Sequence, residues 1–289
     1  MAARAETSLT PIFVVGVPRS GTTWVQRLLA AHADAFPLLE TYMFSGRVGL
    51  GAFFRPVPPA HGDDAPAPAP PGLGRLFTRK ELVDEVRDIA GRWLRAGVPT
   101  GTRYVVEKSP WHLHELGLIA EILPEARFVN VVRDGRDVAV SLIEARRSWS
   151  GFGADDTEAV LVEAARSWNT GLALAAAAAP ALGDRLLDLR YEHLRAEPVS
   201  ACAALYAHCG MVATASELDD ALAVTDIERG ERPSGAGLPI RAGRVGEWRE
   251  RFGIRDARRF ERIAGGTLVD TGYELDRRWW LRQPLRSRL

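Results

Sequence analysis

The sequence predicts an α/β fold in three layers, with a central parallel β-sheet flanked by helices. Three observations carry this reading. Short apolar, β-branched runs alternate with segments of helical period along most of the chain, as strands joined by crossover helices do. The first run, PIFVVGV, feeds the glycine turn Gly16-Val-Pro-Arg-Ser-Gly21 and then a helical segment, a P-loop-like succession. No internal repeat divides the 289 residues, so one domain is expected over 1–289.

The elements follow in order. PIFVVGV, bounded by Pro and Gly, reads as a buried strand. From Thr22 to about His32, Trp24, Val25, Leu28 and Leu29 recur at helical spacing. Residues 56–71 hold seven prolines, which neither pair in a sheet nor continue a helix. They read as a mobile surface excursion of about 45–75, inserted between the first two strands. Helical period returns over 79–95. TRYVVEKSP is a second strand ending near Glu107, and a helix follows from about His112 to Leu123. ARFVNVVRD is a third strand, after which Asp134 can cap a helix running to about Arg147. An alanine-rich helix covers 155–179 and RLLDLRYEHL holds a fourth strand. Two or more helices fill 198–224, and the Gly-, Pro- and Arg-rich stretch 229–246 is a loop.

Composition excludes several classes. Thirty-seven basic residues balance thirty-seven acidic ones, so no global field draws the chain to nucleic acid or to a membrane. Any anion must be held by local placement of charge. Cys202 and Cys209 would lie roughly 10 Å apart along a helix, too far for a disulfide. They read as buried thiols in a reducing compartment. No zinc-type ligand spacing occurs, and no metal is expected. MAARAETSLTP lacks the apolar core of a signal peptide. GLALAAAAAPALG is too short to span a bilayer and is broken by Pro180. The expectation is a cytoplasmic protein without membrane insertion.

The glycine turn suits a tetrahedral oxyanion. A helix start offers unpaired N–H groups and the positive end of its dipole. Gly16 and Gly21 let the backbone approach closely, and Ser20, Thr22 and Thr23 add hydroxyls. Arg19 adds a fixed charge with a planar fork of donors. The lysine that a nucleoside triphosphate requires is replaced by Thr22. Asp134 and Asp188, the available magnesium ligands, have plainer readings as a helix cap and a strand-edge residue.

PRSGTTW resembles the 5′-phosphosulfate loop of the sulfotransferases that use 3′-phosphoadenosine 5′-phosphosulfate (PAPS). Cytosolic members carry Lys at the place of Arg19, and tyrosylprotein sulfotransferases carry Arg. RFVNVVRDGRDVAVS is similar to the family's 3′-phosphate segment, with Arg133 at a strand end and Ser141 eight residues on. RAGRVGEWRE resembles the family's RKGxxGDWK segment. There Arg241, Gly243, Gly246 and Trp248 match, and Ala242 stands for the second basic residue. LRYEHL is similar to the YEDL that places a tyrosine, here Tyr191, at the adenine. VTDIERGE resembles the adenine-side turn, with Thr225 matching and Ile227 where an aromatic is usual. Trp24 would stack on the other face of the base. Taken singly, Trp24, Tyr191 and Ile227 read equally well as core. The resemblance runs from residue 12 to residue 250. It implies PAPS as donor, adenosine 3′,5′-bisphosphate (PAP) as product, no metal, and a hydroxyl-bearing acceptor.

Sulfuryl transfer needs a cation on the leaving phosphate and a base for the acceptor hydroxyl. Lys108 lies at the end of the second strand, where parallel sheets place ligands. Its VVEKSP resembles the EKTP of glycosaminoglycan sulfotransferases, whose lysine is catalytic. Arg19 would share that load. HADAFPLLETY is similar to the tyrosylprotein sulfotransferases and carries their catalytic glutamate onto Glu40. Its neighbours Phe36, Leu38, Leu39 and Tyr42 are expected to raise its pKa. His112 and His114 are the alternative bases, though His112 ordinarily reads as a surface histidine at a helix start. Phe44, Phe53, Phe54 and Trp149 are candidates for an apolar acceptor pocket or for core, and the segments 45–75 and 229–240 should border that pocket. Two other readings predict different ligands: an NTP-dependent kinase with a degenerate loop, and a non-catalytic PAP-binding module. The acceptors expected are a small metabolite, a saccharide or a phenol.

Overall fold

The computed structural model describes residues 9–38, 40–54, 76–148, 157–225, 243–285 and 288–289. Five parallel strands form one sheet in the order β2-β3-β1-β4-β5. They are β1 (Thr10–Gly16), β2 (Ala35–Leu38), β3 (Tyr104–Lys108), β4 (Arg127–Val132) and β5 (Leu186–Arg190). The hydrophobic runs seen in sequence are the three central strands. Each is covered on both faces, which is why apolar residues continue without alternation.

Period two still sorts the side chains. Phe13, Val15, Val105 and Phe128 point to one face. There they meet helices α2 (Arg79–Arg95), α3 (Leu116–Ile122), α4 (Gly135–Ser148), α5 (Thr157–Leu182) and α10 (Ile254–Asp270). Ile12, Val14, Val106, Val129 and Val131 point to the other face. That face is covered by α1 (Thr22–Ala30), α6 (Tyr191–Ala196), α7 (Pro198–His208) and α8 (Ala215–Val224). The short α9 (Trp248–Arg251) docks beside α4. Two cores on opposite sides of one sheet make the expected three layers.

Four features depart from the sequence reading. β2 was not foreseen: it is four residues long, contains Pro37, and among the described residues pairs only with β3, an edge position where a missing N–H is tolerated. α5 does not stop before Pro180 but runs to Leu182. Pro180 lies in the last turn, so the rung it cannot donate, to the carbonyl four residues back, is lost near the helix end. The segment after β3 first forms a 3₁₀ helix, Pro110–His114, before α3 begins. α10 also went unread, although Ala257, Phe260, Ala264 and Leu268 repeat at helical spacing and are buried. The excursion is described only in part: residues 50–54 form a 3₁₀ turn and 55–75 lie outside the described residues. Cys202 and Cys209 are free and buried, and burial pushes their thiols up to about 11 and about 12.

Candidate active site

The carboxyl ends of β1, β3 and β4 lie side by side, and the register brings the candidate residues there. Val14 pairs with Lys108 and Gly16 with Val131. Beyond Gly16 the chain folds back on itself, with Ser20 N donating to Val17 O at 3.0 Å. A side chain at Gly16 would meet Val131 O at 2.7 Å. Arg19 takes φ 77°, an uncommon value for a residue with a Cβ. Gly21, at φ 104°, is the N-cap of α1, and no side chain caps that helix. The N–H groups of its first turn are therefore the donors a bound anion would use.

The second candidate segment closes onto the first. Arg19 Nε donates to Ser141 Oγ at 3.1 Å. Arg133 donates to the carbonyls of Arg19 at 3.2 Å and Arg244 at 3.0 Å. Its guanidinium stacks 4.6 Å from the Tyr191 ring centre. The Tyr191 hydroxyl donates to Gly243 O at 2.9 Å, and its ring packs under Gly21. Ser20 Oγ and Arg133 Nε are buried without a hydrogen-bond partner among the described residues. Asp134 caps α4, accepting from Arg136 N at 2.9 Å. Asp188 accepts from Asn130 at 2.8 Å. Both aspartates thus have the plainer roles.

Two side chains on this segment were not foreseen. Arg136 is fully buried, chelates Asp134, reaches Glu274, and lies between Trp248 at 3.7 Å and Trp279 at 4.6 Å. Asp137 accepts from Gly246 N at 2.7 Å and Trp248 N at 2.9 Å. Burial raises its pKa to about 6, helped by Asp134 and opposed by the two N–H donors and Arg133. Together they pin the C-terminal Gly243–Trp248 stretch to the start of α4. A charged residue directly before or inside an apolar helix was their only signal in sequence.

The candidate catalytic pair is assembled by β2. Leu38 pairs with Glu107, so Glu40 emerges beside Lys108. Gln26 of α1 fixes the strand end, donating to Leu38 O at 2.6 Å and Val106 O at 3.2 Å. Lys108 Nζ donates to Glu40 Oε1, and the Tyr42 hydroxyl donates to Glu40 Oε2 at 2.9 Å. Lys108 is buried, whereas the Glu40 side chain is 38% exposed. Among the described residues the Glu40 carboxylate faces a cation, a phenol and solvent rather than the expected apolar nest. Burial and Glu40 raise the Tyr42 pKa.

His112 is not a surface histidine. It is fully buried, and both ring nitrogens are engaged. Nε2 accepts from Phe44 N at 3.1 Å, which assigns the proton to Nδ1, 2.9 Å from Glu107 Oε2. Neither nitrogen is open to an acceptor hydroxyl, so His112 falls as the alternative base. His114 stacks on the exposed Trp111 at 5.9 Å.

The remaining candidates are placed as follows. Thr22 is buried and Thr23 half-buried in the first turn of α1. Trp24 is buried, with the Tyr191 ring edge at 5.7 Å and the Arg195 guanidinium over its face at 5.7 Å. Thr225 ends α8 and donates to Ala221 O at 2.7 Å. Gly243 adopts φ 55°. Ile227, Arg241, Ala242, Trp149, Leu39 and the loop 229–240 lie outside the described residues. Phe44 is core, packing edge-on against Phe13 at 5.8 Å. Phe53 is exposed, and Phe54 carries the Arg79 guanidinium at 5.6 Å. No group of three or more metal-ligating side chains occurs among the described residues. No described helix is long and apolar enough to cross a membrane.

Residues 11–214 match the model of the sulfotransferase family. Protein-tyrosine sulfotransferase 1 of Danio rerio is 29% identical over 196 residues, 65% of this chain and 49% of that protein. Protein-tyrosine sulfotransferase 2 of Gallus gallus is 27% identical over 210 residues, 69% of this chain and 51% of that protein. The chain thus spans about half the length of these curated relatives. Among solved structures, mouse sulfotransferase SULT7A1 complexed with PAP superposes with a TM-score of 0.61 at 17% identity, covering 93% of this chain and 89% of that one. The sulfotransferase domain of the Synechococcus olefin synthase gives 0.54 at 17% identity, covering 91% and 98%. These two fix the fold, and the family match extends over the strands, the glycine turn and the α4 segment: the chain belongs to the sulfotransferase family.

Proposed function

We propose that the chain transfers a sulfuryl group from PAPS to a phenolic hydroxyl, with Glu40 as general base. One observation carries the donor assignment: Arg19 and Ser141, 122 positions apart, share a hydrogen bond. The glycine turn and the α4 segment are thereby neighbours, which supports a ligand with two anionic groups. The residues present fit such a ligand. Ser20 Oγ and Arg133 Nε are buried polar atoms lacking partners among the described residues, a costly arrangement that an oxyanion would complete. That PAP is bound by the mouse protein of the same fold supports this.

PAPS supplies an already activated sulfuryl group when bound. The chain's own residues then have two tasks. Glu40 takes the proton of the acceptor hydroxyl, whose place on Oε2 is filled here by Tyr42. Lys108 and Arg19 set positive charge where negative charge builds on the leaving phosphate. Lys108 also orients the base, through its hydrogen bond to Glu40 Oε1. A phenol is favoured among the acceptors because the relatives are named for protein tyrosine. No step asks for a metal.

The test is a thermal-shift titration followed by a transfer screen. PAP without added metal is expected to raise the melting temperature. A response to ATP–Mg²⁺ and none to PAP refutes the donor assignment in favour of a kinase. Labelled PAPS is then offered with 2-naphthol, a tyrosine peptide and N-acetylglucosamine. Glu40→Gln and Lys108→Ala should lose transfer and keep PAP binding. PAP binding with no transfer to any acceptor would leave a nucleotide-binding module.

A further inference from the structure

The segment after β2 carries Glu40 yet has little regular structure of its own. Over residues 40–49 it forms neither helix nor strand, and Tyr42 takes φ 50°. Something else must hold it. Four consecutive backbone N–H groups show what does. Thr41 N donates to Glu107 Oε1 at 3.1 Å and Tyr42 N to Ser109 Oγ at 3.2 Å. Met43 N donates to Thr41 Oγ1 at 3.1 Å and Phe44 N to His112 Nε2 at 3.1 Å. These acceptors converge on one carboxylate. Glu107 Oε1 also accepts from Thr41 Oγ1 at 2.8 Å and Ser109 Oγ at 2.6 Å, and Oε2 from His112 Nδ1 at 2.9 Å.

Glu107 and His112 are both fully buried. A buried carboxylate is costly unless satisfied, and this one has four donors. Burial alone would raise its pKa; the bonds from His112, Ser109 and Thr41 outweigh that and hold it below the usual carboxylate value. Glu107 is the residue before Lys108, so one strand end presents the cation and anchors the segment bearing the base.

We propose that Glu107 is a positioning residue: with Ser109 and His112 it clamps the backbone of 41–44 and so sets the Glu40 carboxylate on Lys108. This rests on Glu40 acting as the base. The clamp reads polarity at every position. Gln at 107 keeps an oxygen for Thr41 and Ser109 but turns an N–H₂ toward His112 Nδ1–H. The imidazole must then change tautomer, which sets Nε2–H against Phe44 N–H. One substitution mis-pairs the whole cluster without changing its volume.

The test uses the full chain, PAP as binding probe and the best acceptor of the panel above. Glu107→Gln should lower kcat about tenfold or more, since small misplacements of a reacting group cost that much. The PAP-induced melting shift and the KM for PAPS should stay within about twofold, and amide hydrogen exchange at 41–44 should quicken. In a Glu40→Gln background the same change should cost less than about twofold, because the clamp acts only through Glu40. An equal loss in both backgrounds, or wild-type kcat in folded Glu107→Gln, overturns the inference. If Glu107→Gln does not fold, Ser109→Ala removes one arm, and the same comparison decides. A wild-type rate for Glu40→Gln alone removes the base assignment, and the clamp's catalytic role falls with it.

Discussion

Replacing Gly21 by alanine separates the two demands that the glycine turn places on one residue. The first is conformational. At φ 104° a Cβ is disfavoured, at about 1–2 kcal/mol for a left-handed conformation. The second is steric. The new Cβ would stand 2.5 Å and 2.8 Å from two Tyr191 ring carbons. That ring is buried, held by its hydroxyl on Gly243 O and covered by Arg133, so it cannot swing aside as a surface side chain would. Overpacking of this kind costs about 1–3 kcal/mol. The sum is about 2–5 kcal/mol. Gly97 supplies the control: it has φ 75° and nothing within 4 Å of an added Cβ, so Gly97→Ala should show the conformational part alone. Urea denaturation of the three proteins measures both, with slopes compared so that midpoints report stability. The displaced ring also shifts Arg133 and Gly243, so Gly21→Ala should weaken PAP by tenfold or more while Gly97→Ala leaves it unchanged. Equal destabilisation of the two variants with normal PAP binding would refute the argument that Tyr191 supports the turn.

Two further predictions follow from single contacts. Asp137 has a folded pKa of about 6, above its ordinary 3.8. A raised acid binds its proton more tightly when folded, so its stabilisation is present below about pH 4 and lost as pH rises through 6. The full swing is about 3 kcal/mol for a shift of roughly two units. The charged and titratable groups around it are Asp134, Arg133, Arg244 and Tyr191. Stability of wild type minus that of Asp137→Asn should fall between pH 4 and 6; a flat difference curve excludes the effect. Arg19→Lys keeps the charge but loses the Nε–H that reaches Ser141. Calorimetry should show PAP weakened about tenfold, near 1.4 kcal/mol, and Ser141→Ala added to it should cost little more. Fully additive losses would mean that the two residues do not act together.

The sheet could be read because its central strands are buried on both faces. β1, β3 and β4 announce themselves as apolar, β-branched runs bounded by Pro, Gly or charge. β2 could not. AFPL is an edge segment, only partly buried, and its proline argues against a strand unless the edge position is known. Strand order is a tertiary fact, so the pairing that puts Leu38 beside Glu107 left no local trace. Helices α2 and α7 were visible from periodicity and boundaries. α10 was equally periodic, and its apolar stripe of Ala257, Phe260, Ala264 and Leu268 was simply weaker, with two alanines in four places.

The site divides along a different line. Candidates for meeting a ligand through backbone or charge could be nominated, because glycines and arginines in a turn have few other uses, and the fold brings Gly16, Arg19, Gly21 and Arg133 together. Residues that act through other residues were not. Glu107 reads in sequence as a charge at a strand end, and His112 as a histidine at a helix start. In the structure each is fully buried, and each makes sense only as the other's partner. The same holds for Asp137 and Arg136, which grip a stretch more than a hundred positions away. A buried ion costs free energy that no local pattern reveals, and it persists where several donors converge on it. Convergence is a property of the folded chain. The consequence is directional: candidates for facing a ligand can be nominated from the sequence, while the groups that would aim them are found by asking which buried charges the core would otherwise reject.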